Sequence, residues 1–457
     1  MRPVIYTAHT VVTMNSSNEI IEDGAVVVEN RGIVAVGSQS DLKERYPHAA
    51  TQHFDDCLLM PGLVNTHCHS GLLRGTAEGL PVWDWLQQYV DPMHRVITEL
   101  EAEIASRLCY AEALLSGTTT IVDMWRYMHG SAGAARDLGI RVNLVPYVAE
   151  HPDHSYFETL STNEALINDW HQKANDRIQV WLGLEHMFYA TPEALKRIAD
   201  LCRDYQVGFH THSNESRFDV EKTIELHGTR PIHVLEKLKL LEIPNTLLAH
   251  CVWLDQEEIE LIAKYDVGVA HNPISNMKLA SGAANVVEMM NAGIAVGLGT
   301  DGEKENNNLD MFEEMKTASL LAKFDSLDAA ALEAWSICRM ATIEGARALG
   351  MDSRIGSLEP GKQADMIAVK TNTPRMTPYF SSGEHVNIHH NLVHGVQGGD
   401  VEMTMIDGNI LVEDGELKVA DMTEIIDAAN HAAGPLLSRR DLWVKNSGAS
   451  INELNRK

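Results

Sequence analysis

The sequence predicts an α/β protein, a TIM-type (β/α)8 barrel with a small β-sandwich domain built from both chain ends. Three observations favour this fold class. The middle of the chain, 61–355, alternates short apolar strand-like segments with amphipathic helical ones. Residues 1–60 and 356–420 instead show short strand-like runs separated by turns. A length of 457 residues suits a large barrel that carries an appendage.

The strand-like segments of the middle region supply the barrel. Helical stretches lie between them, and the stretch after the fourth strand has Thr191 as a predicted N-cap with Pro192 at its first position. An open doubly wound sheet is the alternative, but no Gly-x-Gly-x-x-Gly turn follows an early strand. The predicted strands are 62–67, 118–125, 141–148, 178–184, 207–212, 246–251, 267–272 and 294–301.

The same pattern predicts the domain organisation. Residues 1–60 with 356–420 form the composite sandwich domain, and 61–355 form the metal-dependent barrel. Residues 421–457 are predicted to form a C-terminal helical arm. This arm either packs on a neighbouring subunit or folds back on its own barrel.

Composition and charge exclude several classes of function. Apolar residues make up 44% of the chain, which provides for a large core. The formal net charge is −27, and such a surface repels phosphate backbones and anionic lipid, so neither nucleic acid nor membrane is an expected partner. The six cysteines are scattered, the N-terminus does not resemble a signal peptide, and no apolar run reaches 18 residues. A cytoplasmic protein with reduced thiols is therefore expected.

Histidines and one aspartate fall where four of the predicted strands end. His67 and His69 close the first strand, His212 the fifth, His250 the sixth, and Asp301 the eighth. The carboxyl ends of barrel strands converge on one mouth, where active sites are built. Three imidazoles and a carboxylate suit Zn²⁺ or Fe²⁺ with one position left for water. We therefore predict a site formed by His67, His69, His212 and Asp301.

The catalytic assignment follows from the metal site. A metal at this mouth lowers the pKa of water to about 7. Glu215 lies three residues beyond His212 and fits a general acid/base, while His250 and Asp301 would hold the water and take its proton. One metal is predicted, because the fourth strand has no lysine for a bridging carbamate and Lys173 precedes it.

Plainer interpretations exist for each of these residues. Any single histidine can be a satisfied strand-end residue, and Glu215 can be a solvated acid in the first turn of a helix. His210 and His271 are expected to be structural or to line the pocket. The clustering at four strand ends favours the metal site over these alternatives.

The motifs that carry these residues resemble the amidohydrolase superfamily, in its mononuclear deaminase and chlorohydrolase branch. They are "PGLVNTHCH", "LLRG", "SGTTTIVDM", "HTHSNE", "LAHCV", "HNPISNMKLASG", "GLGTDG" and "IGSLEPGKQADMIAV", spread over nearly the whole chain. The branch includes guanine deaminases, methylthioadenosine/S-adenosylhomocysteine deaminases and triazine hydrolases. The resemblance implies the same ligand set, with Glu215 as proton shuttle and His250 as the water's partner.

Departures from the branch bear on the substrate. Glu185 replaces a substrate-binding histidine of the adenosine-type deaminases, with His186 one residue later, and Pro146 stands where they have an arginine. A substrate other than an adenosine is therefore expected. Glu303 is expected to be a solvated loop charge. The proposed pocket residues, for each of which ordinary core packing is the alternative, are Trp83, Asp84, Trp85, Trp125, Glu185, His186, Phe188, Tyr189 and Asn276.

These observations predict a metal-dependent hydrolytic deaminase of a purine, pterin, pyrimidine or triazine. The alternative keeps the attack and displaces chloride or an alkylamine from a triazine-like ring. A catalytically dead interaction protein is a third possibility, but such chains lose ligands that this one retains. One divalent ion is expected, Zn²⁺ before Fe²⁺. The expected partners are a small heterocycle and further copies of the chain, as a dimer or tetramer.

Overall fold

The structure is a computed structural model that describes residues 2–447. Its strands are β1 (Val4–Val12), β2 (Ile20–Glu22), β3 (Gly24–Glu29), β4 (Gly32–Ser38), β5 (Ala50–Pro61), β6 (Leu63–Cys68), β7 (Thr118–Trp125), β8 (Arg141–Pro146), β9 (Ile178–Val180), β10 (Leu182–Leu184), β11 (Phe209–Ser213), β12 (Thr246–His250), β13 (Gly268–His271), β14 (Val296–Leu298), β15 (Met366–Lys370), β16 (Val401–Ile406), β17 (Asn409–Glu413) and β18 (Glu416–Leu417).

Helices fill most of the connections between these strands. They are α1 (Gln39–Arg45), α2 (Val82–Trp85), α3 (Asp91–His94), α4 (Glu99–Leu115), α5 (Met128–Leu138), α6 (Leu160–Trp170), α7 (Lys173–Asp176), α8 (Pro192–Tyr205), α9 (Arg217–His227), α10 (Pro231–Lys237), α11 (Gln256–Lys264), α12 (Pro273–Lys278), α13 (Val286–Asn291), α14 (Glu303–Asn306), α15 (Met311–Ser326), α16 (Ala334–Met340), α17 (Ile343–Ala348), α18 (Ile388–His394) and α19 (Met422–Asn446). Short 3₁₀ turns lie at Pro152–His154, Met187–Tyr189, Pro374–Met376 and Gly398–Asp400, and a π turn lies at Leu86–Val90.

The predicted barrel is present, and all eight of its strands lie where the sequence places them. Strands β6 to β9 pair in parallel, and so do β10 to β14. β9 and β10 are two halves of the fourth barrel strand, interrupted at Trp181. The barrel closes where the Asp301 amide donates to the His67 carbonyl and the Thr66 hydroxyl donates to the Leu298 carbonyl. These strands are buried along their length, as expected when helices cover a parallel sheet.

Local signals set the start of the helix after the fourth barrel strand. The Thr191 hydroxyl accepts from the Ala194 amide and Pro192 takes the first helical position, so the predicted cap of α8 is confirmed.

The two chain ends form one continuous sheet. Its strand order is β18-β17-β16-β15-β5-β1-β3-β4, with β2 paired to β1. The ends meet where β15 pairs antiparallel with β5, and Ala368 lies opposite Leu59. Tyr6, Met366 and Met403 belong to the apolar cluster between its layers. The predicted sandwich is thus a single curled sheet, mixed because β1 pairs with β5 in parallel. The predicted domain bounds stay a prediction.

The C-terminal helix folds back on the barrel of its own chain. α19 packs against α3 and α4, and Arg439 pairs with Glu101 and donates to the Val96 carbonyl. Of the two alternatives for the arm, this is the second, and its residues beyond 447 lie outside the described part. No helix within 2–447 has the length and apolar character that crossing a membrane requires.

Candidate metal centre and active site

The predicted ligands converge at the carboxyl end of the barrel. β6 carries His67 and is followed by His69, β11 carries His212, and β12 ends at His250. Asp301 lies three residues beyond the end of β14. All five side chains are buried. Asp301 and His250 have positive φ, 57° and 73°, a strained conformation for such residues that is typical of functional sites.

Two backbone carbonyls fix how His69 and His212 present their rings. His69 Nδ1 lies 2.6 Å from the Met124 carbonyl, and His212 Nδ1 lies 2.8 Å from the Glu185 carbonyl. A carbonyl can only accept, so both Nδ1 atoms carry the proton and both Nε2 atoms are unprotonated. These Nε2 atoms face each other at 3.2 Å. Two lone pairs at that distance repel each other unless a cation lies between them.

Hydrogen bonding through His210 fixes the same tautomer for His67. His210 Nδ1 lies 2.9 Å from the Leu247 carbonyl and therefore donates to it. Its Nε2 is then an acceptor, so His67 Nδ1, 2.8 Å away, is the donor. His67 Nε2 is left unprotonated, buried and without a partner. Ligating histidines are held in this way by the atoms behind them.

Asp301 completes the donor set. Its Oδ1 lies 3.3 Å from His69 Nε2 and 3.6 Å from His67 Nε2. Ligands about 2.0–2.1 Å from one tetrahedral ion are about 3.3 Å apart, so these spacings fit a shared ion. The Ser275 hydroxyl and the Gly302 amide orient the carboxylate. Three neutral imidazoles and one carboxylate therefore suit a divalent metal.

Glu215 and His250 lie beside this donor set. Burial raises the pKa of Glu215, while His250 and His186 oppose the rise, so this carboxyl gains a proton more readily than an exposed one. His250 Nδ1 lies 3.0 Å from Asn276 Oδ1, and its Nε2 points toward Asp301 Oδ2 at 3.8 Å. Both side chains are placed to hold water and move a proton at the ligand cluster.

Glu185 and His186 form a buried pair on the substrate side. Glu185 Oε2 lies 2.6 Å from His186 Nδ1, and Tyr147 donates its hydroxyl to Glu185 Oε1 at 3.2 Å. Burial lowers the pKa of His186, but the Glu185 carboxylate outweighs that effect and raises it to about 9. The His186 ring stacks on His212 with a centroid distance of 5.0 Å. The site thus has a charged imidazolium next to a ligand.

Two cavities lie at this end of the barrel. The inner one, of about 20 Å³, is lined by the ligands and by Trp85, Glu185 and His186. The outer one, of about 550 Å³, is lined by Trp83, Phe188, Tyr189 and others. Six of the nine predicted pocket residues therefore line one cavity or the other.

The other three predicted pocket residues have different surroundings. Trp125 lies in the core, fully buried, with its indole N–H donating to the Ala102 carbonyl. Asn276 acts behind the site by holding His250. Asp84 lies on α2, half-buried, and lines neither cavity. We correct the pocket accordingly, because proximity to the site in sequence does not decide whether a side chain faces the cavity, the core or the back of a catalytic residue.

The prediction for Glu303, two residues after Asp301, was wrong, and Glu305 was not predicted from the sequence. Glu303 is not a solvated loop charge, since its side chain is buried and accepts from the Leu73 amide. Glu305 also is buried and lines the inner cavity. Burial raises its pKa, and the ammonium of Lys304 opposes that rise. The signal that could have revealed them is the run Glu303–Lys304–Glu305 directly after a predicted ligand, where a loop at the barrel mouth lies over the site.

A family model agrees with the whole barrel. The model described as the amidohydrolase family matches residues 58–411. A second model, an imidazolonepropionase-like composite domain of bacteria, matches residues 24–49 in the sheet of the chain ends.

Relatives with deaminase names match over nearly the full chain. A 5-methylthioadenosine/S-adenosylhomocysteine deaminase of Syntrophomonas wolfei is 36% identical over 94% of this chain and 98% of its own. A 5'-deoxyadenosine deaminase of Methanothermobacter thermautotrophicus is 38% identical over 91% and 95%. The crystal structure of an adenosine deaminase from Xanthomonas campestris with bound zinc has a TM-score of 0.89 and 31% identity, over 95% of this chain and 98% of that one.

Proposed function

The chain belongs to the amidohydrolase family, and on that premise we propose that it deaminates an adenosine-type purine nucleoside. At the level of reaction type it is a hydrolytic deaminase of an amino-substituted heterocycle. The observation that carries the proposal is the pair of unprotonated Nε2 atoms of His69 and His212 that face each other at 3.2 Å. We propose Zn²⁺ as the ion, as in the similar adenosine deaminase structure, with Fe²⁺ as the alternative.

The nucleoside substrate is the more specific part of the proposal. It replaces the expectation, drawn from Glu185 and Pro146, that the substrate is not an adenosine. Relatives that are 36% and 38% identical over more than nine-tenths of the chain carry adenosine-type names. Two residue differences do not outweigh that similarity. The outer cavity, of about 550 Å³, has the aromatic side chains of Trp83, Phe188 and Tyr189 in its lining, against which a purine ring can stack. The outer cavity has room for a sugar and its substituent.

The catalytic steps fall to residues of this chain. His67, His69, His212 and Asp301 would hold the ion, which supplies an activated water at neutral pH when bound. His250 Nε2 and Asp301 Oδ2 hold this water and orient it toward the amino-bearing carbon. The carboxyl of Glu215, protonated more readily because it is buried, delivers a proton to the adjacent ring nitrogen. The water oxygen bonds to the amino-bearing carbon, one water proton restores Glu215, and the other passes through Asp301 to the amino group. The C–N bond then breaks, so that ammonia leaves and the keto product remains.

Ammonia release from a panel of heterocycles tests this function. The panel contains three nucleosides, which are adenosine, 5'-deoxyadenosine and S-adenosylhomocysteine. It also contains an amino-substituted pterin, cytosine and an aminotriazine. We expect the zinc-loaded enzyme to release ammonia from the nucleosides. Glu215→Gln should lower kcat by at least about 100-fold, because the proton transfer is lost. Glu221→Gln, which makes the same change at an exposed position on α9, is the control.

Three results would contradict the proposal in distinct ways. Turnover of the non-nucleosides alone would exclude the nucleoside. Chloride or alkylamine release from a substituted triazine would favour the alternative hydrolase. Full activity of Glu215→Gln would remove Glu215 from the mechanism. A homo-oligomer and a cytoplasmic location stay predictions, and size measurement of the zinc-loaded protein in solution addresses the first.

A further inference from the structure

A run of buried charges follows the ligand Asp301. Glu303, Lys304 and Glu305 open α14, and each is less than a twentieth exposed. Burying three charged side chains is costly even when they are paired. A chain that keeps them beside its metal ligands therefore has them there for a purpose other than stability.

Glu305 is the member of this run that reaches the site. It lines the same inner cavity as Glu215, and a carboxylate oxygen of Glu305 lies within 4.8 Å of ligand atoms of both His69 and Asp301. Gly302 makes this position possible, because a Cβ there would lie 2.2 Å from Glu305 Oε2. The carboxylate therefore occupies space that any other residue at 302 would fill.

Lys304 holds this carboxylate in place. Its Nζ lies 2.8 Å from Glu305 Oε1 and 3.2 Å from Oε2. The ammonium lies between the rings of Trp85 and Trp125, 5.9 and 5.8 Å from their centroids. The pair is neutral overall and rigidly packed. A carboxylate has about four lone-pair sites, so Glu305 can accept further hydrogen bonds from the cavity side.

From this geometry we propose that Glu305 is a specificity-determining residue, which accepts a hydrogen bond from an N–H or O–H donor on the substrate. The inference rests on the proposed deaminase function. It adds that Glu305 recognises one hydrogen-bond donor on the substrate. The donor is either a sugar hydroxyl or an amino group of the ring, and both offer the same chemistry to a buried carboxylate. A site built around such an acceptor discriminates against analogues that lack the donor.

The test compares substrates that differ by one donor. Adenosine is paired with 2'-deoxyadenosine and with 3'-deoxyadenosine, and 2,6-diaminopurine riboside is paired with adenosine. Heterocycles without a sugar, from which the enzyme releases ammonia, are paired with analogues that lack one N–H group. For each pair the ratio of kcat/KM is measured for the wild type and for the variant Lys304→Met/Glu305→Met. This double change removes the ion pair at similar volume, and Glu303, which loses the nearby ammonium, keeps the Leu73 amide and the charge of Arg74.

For one substrate pair, we expect the wild type to favour the substrate with the donor by about 10- to 100-fold in kcat/KM. In the double variant this ratio should fall close to 1. The hydroxyl pairs and the amino pair distinguish the two sources of the donor. Glu303→Gln is the matched control, since Glu303 is equally buried on α14 but binds the Leu73 amide and does not line the inner cavity. It should keep the wild-type ratio.

Zinc content and the solution fold are measured on every variant as a readout apart from activity. A double variant that keeps its zinc and every wild-type ratio would overturn the role of Glu305. A double variant that instead loses zinc would overturn it too and make Glu305 part of the metal site. If the wild type acts only on bare heterocycles, the nucleoside proposal fails, while the Glu305 inference is still decided by the N–H pairs.

Discussion

At the scale of single residues, hydrogen bonds behind the ligands decide the chemistry in front of them. The Met124 and Glu185 carbonyls accept hydrogen bonds from His69 and His212, and His210 Nε2 accepts one from His67 Nδ1. Each contact fixes one tautomer, and each tautomer leaves Nε2 free to bind a cation. The motif His-x-His in β11 thus supplies the proposed ligand His212 and, in His210, the residue that orients His67 of β6.

His210 therefore provides a prediction at this scale. Replacing it by phenylalanine keeps the volume but removes the acceptor that fixes His67. We expect His210→Phe to weaken zinc binding by about 10- to 100-fold, since that is the effect of losing such a partner. Competition with a chelator of known affinity measures it. His271→Phe, at an equally buried histidine of β13, is the control and should bind zinc normally, whereas equal losses in both variants would point to general damage.

At the scale of elements, one short segment separates the two cavities. Val82, Trp85 and Leu86 face the inner cavity, and Trp83 and Asp91 face the outer one. The segment consists of α2, the π turn and α3, and such π turns are frequent at functional sites. The apolar side chains of α2 and the π turn form a small cluster of their own with Leu279, while Met93 of α3 belongs to the main core. This part of the wall of the active site is therefore packed separately from the main core.

Asp91 in this segment makes stability depend on pH. Burial raises its pKa to about 7, Glu185 adds to the rise and Arg95 opposes it. The folded state thus holds the proton more tightly than the unfolded state does. As pH rises from about 4 to 7, the unfolded state releases this proton first, so the unfolding free energy of the protein falls. Asp91→Asn removes that loss, and the variant's gain in unfolding free energy should be about 2.5 kcal/mol larger at pH 8 than at pH 5.

Denaturant unfolding of the metal-free protein at the two pH values measures this difference. Asp153→Asn, an exposed acid on the rim of the same cavity, is the control and should change stability equally at both. A gain for Asp91→Asn that is the same at pH 5 and pH 8 would show that Asp91 is ionised in the folded protein.

At the scale of the whole molecule, one arginine fastens the sheet of the chain ends to the barrel. Arg141 begins β8 and donates to Asp365, before β15, and to Asp407, in the turn between β16 and β17. All three side chains are almost fully buried. The two carboxylates hold the pKa of Arg141 above its usual value against the effect of burial. Residues more than 220 positions apart meet in this cluster.

Breaking this cluster should destabilise the protein while the metal site stays intact. Arg141→Met leaves the buried carboxylate of Asp365 without its cation. Asp407 keeps Arg31 and Arg177 at 3.9 and 3.7 Å. We expect a loss of about 3–5 kcal/mol in unfolding free energy. Arg107→Met, which breaks exposed pairs on α4, should cost less than about 1 kcal/mol. Denaturant unfolding and zinc content are measured on both. Similar losses in both variants would mean that Arg141 is no more important than a surface charge.

The sequence by itself determined which residues could meet and on what scaffold. Alternating strands and helices predict the barrel, and the carboxyl ends of its strands bring His67, His69, His212 and Asp301 to one mouth. This holds because strand periodicity and barrel geometry are properties of the local pattern.

Only the tertiary structure decided the residues around these ligands. It placed Trp125 in the core, Asn276 behind His250, and Glu303 and Glu305 in the interior. It also showed that the two chain ends, which the sequence predicts to form one domain, share a single sheet, and it placed α19 back on the barrel. The physical reason is that burial and hydrogen-bond partners depend on segments distant in the chain, and a polar residue in a loop shows no periodicity from which its direction can be predicted.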